Sequence, residues 1–132
     1  MSGWTDDELR RIGRATELQL ASQRPDGSLS RYATIWAVVA SDAVYVRSAY
    51  GYDNRWFQRA LRSGAGRIAA GGVERDVAFE QPGVEVSANV TAAYHAKYDR
   101  YGPAIVGTVV SPEAVRSTLR LTPRIPSAES PR

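Results

Sequence analysis

The sequence predicts an α+β protein, mainly β, in which six antiparallel strands form a small, closed or partly closed barrel with helices packed on its outside. Three observations carry this. Apolar residues alternate with period two in several short runs; two tight-turn sequences, Pro25-Asp26-Gly27-Ser28 and Gly71-Gly72, join consecutive runs; and helical signals interrupt the strands after the third and after the fifth. The 132 residues suit one domain with its own core, placed at 1–124, and the proline- and serine-rich stretch 125–132 is expected to be a disordered tail.

The first element is a short helix. Thr5-Asp6-Asp7-Glu8 has the spacing of a capping box, and Leu9 and Ile12 give an apolar side to a helix running to about Arg14. Residues 17–22 alternate as a strand and turn at Pro25-Asp26-Gly27-Ser28. Residues 29–40 contain the nearly continuous apolar run Ala33-Thr34-Ile35-Trp36-Ala37-Val38-Val39, the pattern of a central strand covered on both faces. In the third strand, 44–48, Val44, Val46 and Ser48 share one face while Tyr45 and Arg47 take the other. Asp53 or Asn54 caps a helix over 55–62, closed by the glycines that follow. Residues 67–70 and 73–80 form a hairpin through Gly71-Gly72. Residues 84–101 read as a helix, 103–111 as an irregular crossing, Ser111-Pro112-Glu113 as a new helical turn, and 117–122 as the last strand.

Composition removes several functions. Without cysteine there is no disulfide, thiolate metal site or cysteine nucleophile, and a single histidine leaves no zinc ligand set. No calcium loop, Walker sequence, dinucleotide fingerprint or serine-nucleophile elbow is present. The net charge of +3 is spread over arginines interleaved with acids, with Lys97 the sole lysine, so no nucleic-acid partner is expected. No apolar run approaches the roughly 20 residues of a membrane span. The acidic N-terminus lacks the basic start and apolar core of a signal peptide, and a cytoplasmic protein is expected.

The segment from Tyr45 to Phe57 is chemically the richest. A strand ends there in a glycine-containing turn that opens into a helix bearing arginine and tryptophan. Arg47, Arg55 and Arg31 could hold a phosphate beside the unpaired N–H groups of the helix start; equally, Arg47 and Arg55 could flank a solvated helix entrance and Trp56 could anchor the core. Trp36 offers a flat wall or a core side chain. Arg75 shares a strand face with Val73, Val77 and Phe79, and a charge on an apolar face needs a carboxylate, an anionic ligand or a carbonyl in a cleft. Tyr94, Tyr98 and Tyr101 lie on one helical face, where they could line a pocket with hydroxyls or pack as core or dimer contact. His95 is a candidate acid or base, or a solvent-facing residue.

The run from Tyr32 to Trp36, then Val44-Tyr45-Val46-Arg47-Ser48, Gly51, Trp56 and the helix that follows, resembles the core of the split β-barrel flavoproteins. This group includes pyridoxamine-phosphate oxidases and deazaflavin-dependent nitroreductases. A longer set, from Trp4-Thr5-Asp6-Asp7-Glu8 through Gly71-Gly72-Val73-Glu74-Arg75-Asp76-Val77 and Ala93-Tyr94-His95-Ala96-Lys97-Tyr98 to the last strand, is similar to an uncharacterised bacterial domain-of-unknown-function family placed in that superfamily. The resemblance implies a six-stranded split barrel, a homodimer, and a small oxidoreductase that uses FMN or a deazaflavin on a small aromatic or quinone-like substrate. It implies a phosphate site at Ser48, Gly51 and Trp56, in which Arg47 and Arg55 could substitute for the family's basic residue. Thr34 and Trp36 would lie against the ring system, and Tyr94, Tyr98 and His95 would face substrate. The basic residue expected after the serine is absent, since position 49 is Ala49. Two other readings stay open: a cofactor-free cyclase or isomerase acting on an aromatic or polyketide-like metabolite through Arg75, the tyrosines and His95, and a ligand-binding protein without catalysis.

Overall fold

The computed structural model describes residues 3–49 and 51–124, so the tail expected at 125–132 lies outside the described residues. The chain opens with α1 (Asp6–Arg14), capped as its sequence dictates: Thr5 Oγ1 accepts from the Glu8 N–H (3.1 Å), and Glu8 Oε1 accepts from the Thr5 N–H (3.0 Å). Leu9 and Ile12 are its buried side.

Among the described residues seven antiparallel strands follow: β1 (Leu18–Ser22), β2 (Ala33–Ile35), β3 (Ala37–Ala40), β4 (Ala43–Arg47), β5 (Ala65–Ala70), β6 (Val73–Glu80) and β7 (Thr118–Pro123). They form one sheet in the order β2-β1-β5-β6-β7-β4-β3. The seventh strand arises because the segment expected to be one central strand breaks at Trp36. Ile35 pairs with Leu18 of β1, whereas Ala37 pairs with Val46 of β4. The two halves therefore stand at opposite ends of the strand order although one residue joins them. The sheet must curl until its ends meet, giving a nearly closed barrel with its seam at Trp36. Only the second half fits the expectation of cover on both faces.

The barrel interior gathers Leu18, Leu20, Val44, Val46, Ile68, Val77, Leu119 and Leu121, joined by Ile12 of α1 and by Phe57 and Ala60 of α2 (Arg55–Ser63). A second cluster lies on the outside of β3 and β4. There Val38, Ala43 and Tyr45 meet Val90, Tyr94 and Tyr98 of α3 (Ser87–Tyr98) and Val106 and Val109 of α4 (Pro103–Val110). The alternation in β4 is thus resolved as expected, with Val44 and Val46 inward and Tyr45 under the helices.

The stretch expected to be an irregular crossing is α4. Pro103 occupies its first turn, where a missing N–H costs nothing, and Val106 and Val109 bury one side against β3 and α3. The long helix expected over 84–101 is regular only within α3, with single 3-10 turns at Val84–Val86 and Asp99–Tyr101. Ser111 then caps α5 (Pro112–Arg116), its Oγ accepting from the Ala114 N–H (3.2 Å). No helix among the described residues is long and apolar enough to cross a membrane.

Candidate functional site at the barrel seam

A cavity of about 370 Å³ opens beside the seam. Thr34, Ile35 and Trp36 line it from β2 and the seam, Arg47 and Ala49 from the end of β4, and Asn54 and Trp56 from the start of α2. Ile105, Thr108 and Val109 close it from α4, and Glu17 stands just before β1. Four residues assigned to a cofactor from sequence, Thr34, Trp36, Arg47 and Trp56, therefore share one wall system. The α4 residues and Glu17 were not anticipated. Gly102-Pro103 followed by valines three apart was the signal for α4.

Arg47 is the central feature. It ends β4 on the outer face and is 1% exposed, so it is not part of a solvated helix entrance. Its Nε donates to Thr118 Oγ1 (2.9 Å), Nη1 to Thr91 Oγ1 (2.8 Å) and to the Val109 carbonyl (3.1 Å), and Nη2 to the Ser87 carbonyl (3.1 Å). Its Cζ lies 5.5 Å from the centre of the Tyr94 ring. Every oxygen partner is neutral, and among the described residues no carboxylate pairs with it. Burial lowers its pKa and the nearby Tyr94 opposes this, but a guanidinium stays protonated in any case. The cavity wall thus carries a buried positive charge that no carboxylate of the described residues contacts, and Glu17 is the one acidic side chain of the described wall. Arg55, by contrast, is exposed at the start of α2 and lies outside the cavity wall.

The turn after β4 is held by side chains rather than left open for an anion. Asn54 Nδ2 donates to Ser48 Oγ (3.0 Å) and to the Ala49 carbonyl (2.6 Å), instead of capping α2 with its side chain. The Ser48 N–H donates to Ser117 Oγ (3.1 Å). Gly51 sits at φ +87°, and a Cβ there would lie 3.0 Å from Glu113 Cβ, so glycine meets both a backbone and a packing requirement. Neither Ser48 nor Gly51, both assigned to the cofactor from sequence, lines the cavity.

Trp36 is fixed by the tyrosine stripe. Its ring stacks on Tyr98 with centroids 3.9 Å apart and planes 4° from parallel, and Tyr101 tilts against it at 5.6 Å. The Tyr98 hydroxyl donates to the Thr16 carbonyl (2.7 Å) and accepts from the Ala37 N–H (3.3 Å); the Tyr94 hydroxyl donates to the Trp36 carbonyl (3.3 Å). Both phenols thus bond backbone groups where β2 gives way to β3, and Tyr98 also ties that point to the residue pair before β1. Desolvation holds Tyr94 well above the usual phenol range and pushes Tyr98 up to about 12. Neither hydroxyl faces the cavity, so the structure gives these tyrosines a bracing position where a substrate-facing one was expected.

The remaining candidates lie elsewhere. His95 is exposed, its Nδ1 2.8 Å from Asp99 Oδ1. Arg75 has found the carboxylate its apolar face demanded: Nη1 donates to Glu8 Oε2 (2.7 Å), tying β6 to α1, and Cζ lies 5.8 Å from the centre of the Trp4 ring. Neither residue lines the cavity. No group of acidic or histidine side chains among the described residues could hold a metal.

Lys97 also serves the seam, and nothing in the sequence pattern marks it except that it is the sole lysine. Its Nζ donates to the Ala37 carbonyl (2.7 Å) and lies 5.1 Å from the Tyr98 ring centre. Desolvation, with Arg100 nearby, pushes it down to about 8 from 10.5. Between these values the unfolded chain holds a proton that the folded chain has released, so folding stability rises with pH across that window. Tyr98 acts in the opposite sense above pH 10, where the unfolded phenol ionises first. Urea midpoints should therefore rise from pH 8 toward 10 and fall above it, and Lys97→Met should remove the rise. An unchanged profile in that variant would show that Lys97 is solvated.

Comparison with known proteins agrees with this architecture. The model of a bacterial family, DUF2255, described as an uncharacterized protein conserved in bacteria, matches residues 8–121. Among curated proteins none matches the sequence. Three solved structures share the fold. An F420 reductase is 15% identical, with a TM-score of 0.58 over 92% of this chain and 97% of its own. A FAD-binding protein from Mesorhizobium loti is 12% identical, with a TM-score of 0.57 over 92% and 91%. A conserved hypothetical protein from Mycobacterium tuberculosis is 12% identical, with a TM-score of 0.57 over 93% and 81%. At such identities the likeness is one of fold.

Proposed function

The chain belongs to the bacterial DUF2255 family, and we propose that it is a small cytoplasmic oxidoreductase that binds a flavin or deazaflavin in the seam cavity and acts on a small aromatic or quinone-like molecule. The observation that carries this reading is Arg47, a buried cation with no carboxylate in contact among the described residues, in the wall of a cavity that also presents two indoles and one acidic side chain, Glu17. A buried charge needs compensation, and an anionic group of a ligand supplies it. The volume is in the range of about 300–1,000 Å³ typical of small-molecule pockets.

The wall residues fit a planar, anionic cofactor. Arg47 would offset the charge of its phosphate through its field and its one remaining Nη2 proton, and with Ala49 in place of a second basic residue it is the only cation among the described residues of the wall. Trp36, braced by Tyr98, gives the ring system a flat surface that cannot turn away. Asn54 and Thr108 provide polar contacts at the rim. When bound, such a cofactor supplies hydride transfer, and the protein's contribution is orientation, charge and exclusion of water. The rim residues Thr34 and Ile105 are exposed, and a second copy of the chain closing over them would complete the cleft as a homodimer.

Titration of the purified protein with FMN and, separately, with a deazaflavin tests this through tryptophan fluorescence and the visible spectrum. Saturable quenching by one of them is expected, together with its loss in Trp36→Leu. No saturable change with either ligand, in protein whose circular dichroism is that of the folded chain, would sink the proposal.

A further inference from the structure

A second concavity lies at the other end of α2. The turn that follows β1 folds toward the C-terminal half of the helix and leaves a space of about 520 Å³, larger than the seam cavity. Arg24 lines it from the turn, Arg59 and Arg62 line it from α2, and no carboxylate does. Arg59 and Arg62 are three residues apart and share a helix face. Neither forms an ion pair with a described residue.

The walls are built, and of the three arginines Arg24 alone has a carboxylate among the described residues close enough to interact with it, Asp26 of the same turn. Ser30 Oγ accepts from the Ser22 N–H (2.9 Å), and Ser63 Oγ donates to the Gln23 carbonyl (2.7 Å), which clamps the turn to the end of the helix. Arg24 uses Nη1 on the Leu29 carbonyl (2.7 Å) and Ser28 Oγ (3.3 Å), leaving its Nε and Nη2 protons available. Asp26, the carboxylate of the turn, is bound to the Ser28 N–H (3.0 Å) and Oγ (2.7 Å) and is not part of the wall. The partial negative charge of the α2 C-terminus, roughly half an elementary charge, is far smaller than three guanidinium charges.

We propose that this basin is a second ligand site, for a small molecule carrying a chain of two or three phosphates. Guanidinium forks pair bidentately with phosphate oxygens, and three of them around one concavity match several anionic groups better than a single carboxylate. A half-open basin between a turn and a helix also differs from the continuous stripe that tracks a nucleic-acid backbone. The site shares only α2 with the seam cavity, so it stands or falls separately from the proposed cofactor.

Calorimetric titration of the full chain with sodium tripolyphosphate and with ATP tests the proposal. Saturable binding of at least one is expected, weakened by at least about tenfold in Arg59→Ala/Arg62→Ala. Alanine at these exposed helix positions retains the fold, and the FMN response of that variant should match the parent. Tighter binding of ATP would mean that the ligand includes a nucleoside; equal binding would mean that the phosphate chain alone is read. Absence of saturable heat with both ligands, or an unaltered affinity in the double variant, overturns the site. Loss of the FMN response in the parent protein, with tripolyphosphate binding intact, would overturn the seam-cavity reading and leave this one standing.

Discussion

Arg47→Leu should destabilise the protein by about 3 kcal/mol or more and abolish binding of flavin or deazaflavin. One guanidinium joins four elements: it bonds Thr118 at the start of β7, Ser87 and Thr91 of α3, and Val109 of α4, from the end of β4. Hydrogen bonds to a charged group contribute about 1.5–3 kcal/mol each, and leucine would leave the two carbonyls and Thr91 without this donor. An opposing effect limits the loss, since leucine also removes a desolvated charge that no carboxylate of the described residues contacts, and apolar replacements of buried ions are sometimes stabilising. We expect the bonding network to outweigh that relief because its partners come from three separate segments and have no shared substitute. Arg47→Lys separates charge from geometry. It keeps the cation but offers three donors on a flexible stem, so stability should fall less and ligand binding should weaken without vanishing. Urea unfolding and the fluorescence titration report the two effects independently. A leucine variant as stable as the parent would refute the anchoring role, and one that still binds ligand would refute the charge argument.

Gly66→Ala is expected to be at least as damaging, at about 3 kcal/mol or more, although the position is far less conspicuous. Gly66 pairs with Ser22 of β1 and Val77 of β6, and a Cβ built on it would lie 1.9 Å from the Ala21 carbonyl oxygen and 2.8 Å from the Phe79 ring. A ring edge can move, but a backbone carbonyl within a sheet cannot retreat without breaking the β1–β5 ladder. That ladder holds β1, which alone pairs with β2 and so positions Thr34 and Trp36. The seam cavity should therefore be lost with it. The melting temperature of Gly66→Ala should drop by about 10 °C or more. Gly107→Ala is the control: a Cβ there meets nothing within 4 Å, and alanine in α4 should raise stability by up to about 1 kcal/mol. Equal melting temperatures for Gly66→Ala and the parent would mean that the sheet has more room than its geometry shows.

Much of the fold was legible because its determinants are local. The capping box of α1 spans four residues, the Gly71-Gly72 turn two, and the face alternation of β4 five, so each can be read without knowing what packs against it. The irregular crossing assigned to 103–111 is α4 instead. Its helix-starting proline and its valines three apart were present, but what those valines pack on, the cluster of β3, β4 and α3, was unreadable from the sequence. Residues 29–40 show the same limit more sharply. Their apolar run was visible, yet nothing local says that the chain changes partner at Trp36, because pairing is settled by β1 on one side and β4 on the other.

The candidate site divides along the same line. The sequence by itself determined the residue types at the end of β4, the nearness of Trp56 to it along the chain, and the need of Arg75 for a partner. Only the tertiary structure decided which of these meet. Arg47 bonds Thr118 across 71 positions, Arg75 reaches Glu8 across 67, and Tyr98 meets Ala37 across 61. Tyr94 and Tyr98 were thereby turned from candidate pocket lining into braces for the seam. The physical reason is that a buried polar group is assigned its role by whichever unpaired donor or acceptor the closed barrel leaves within reach.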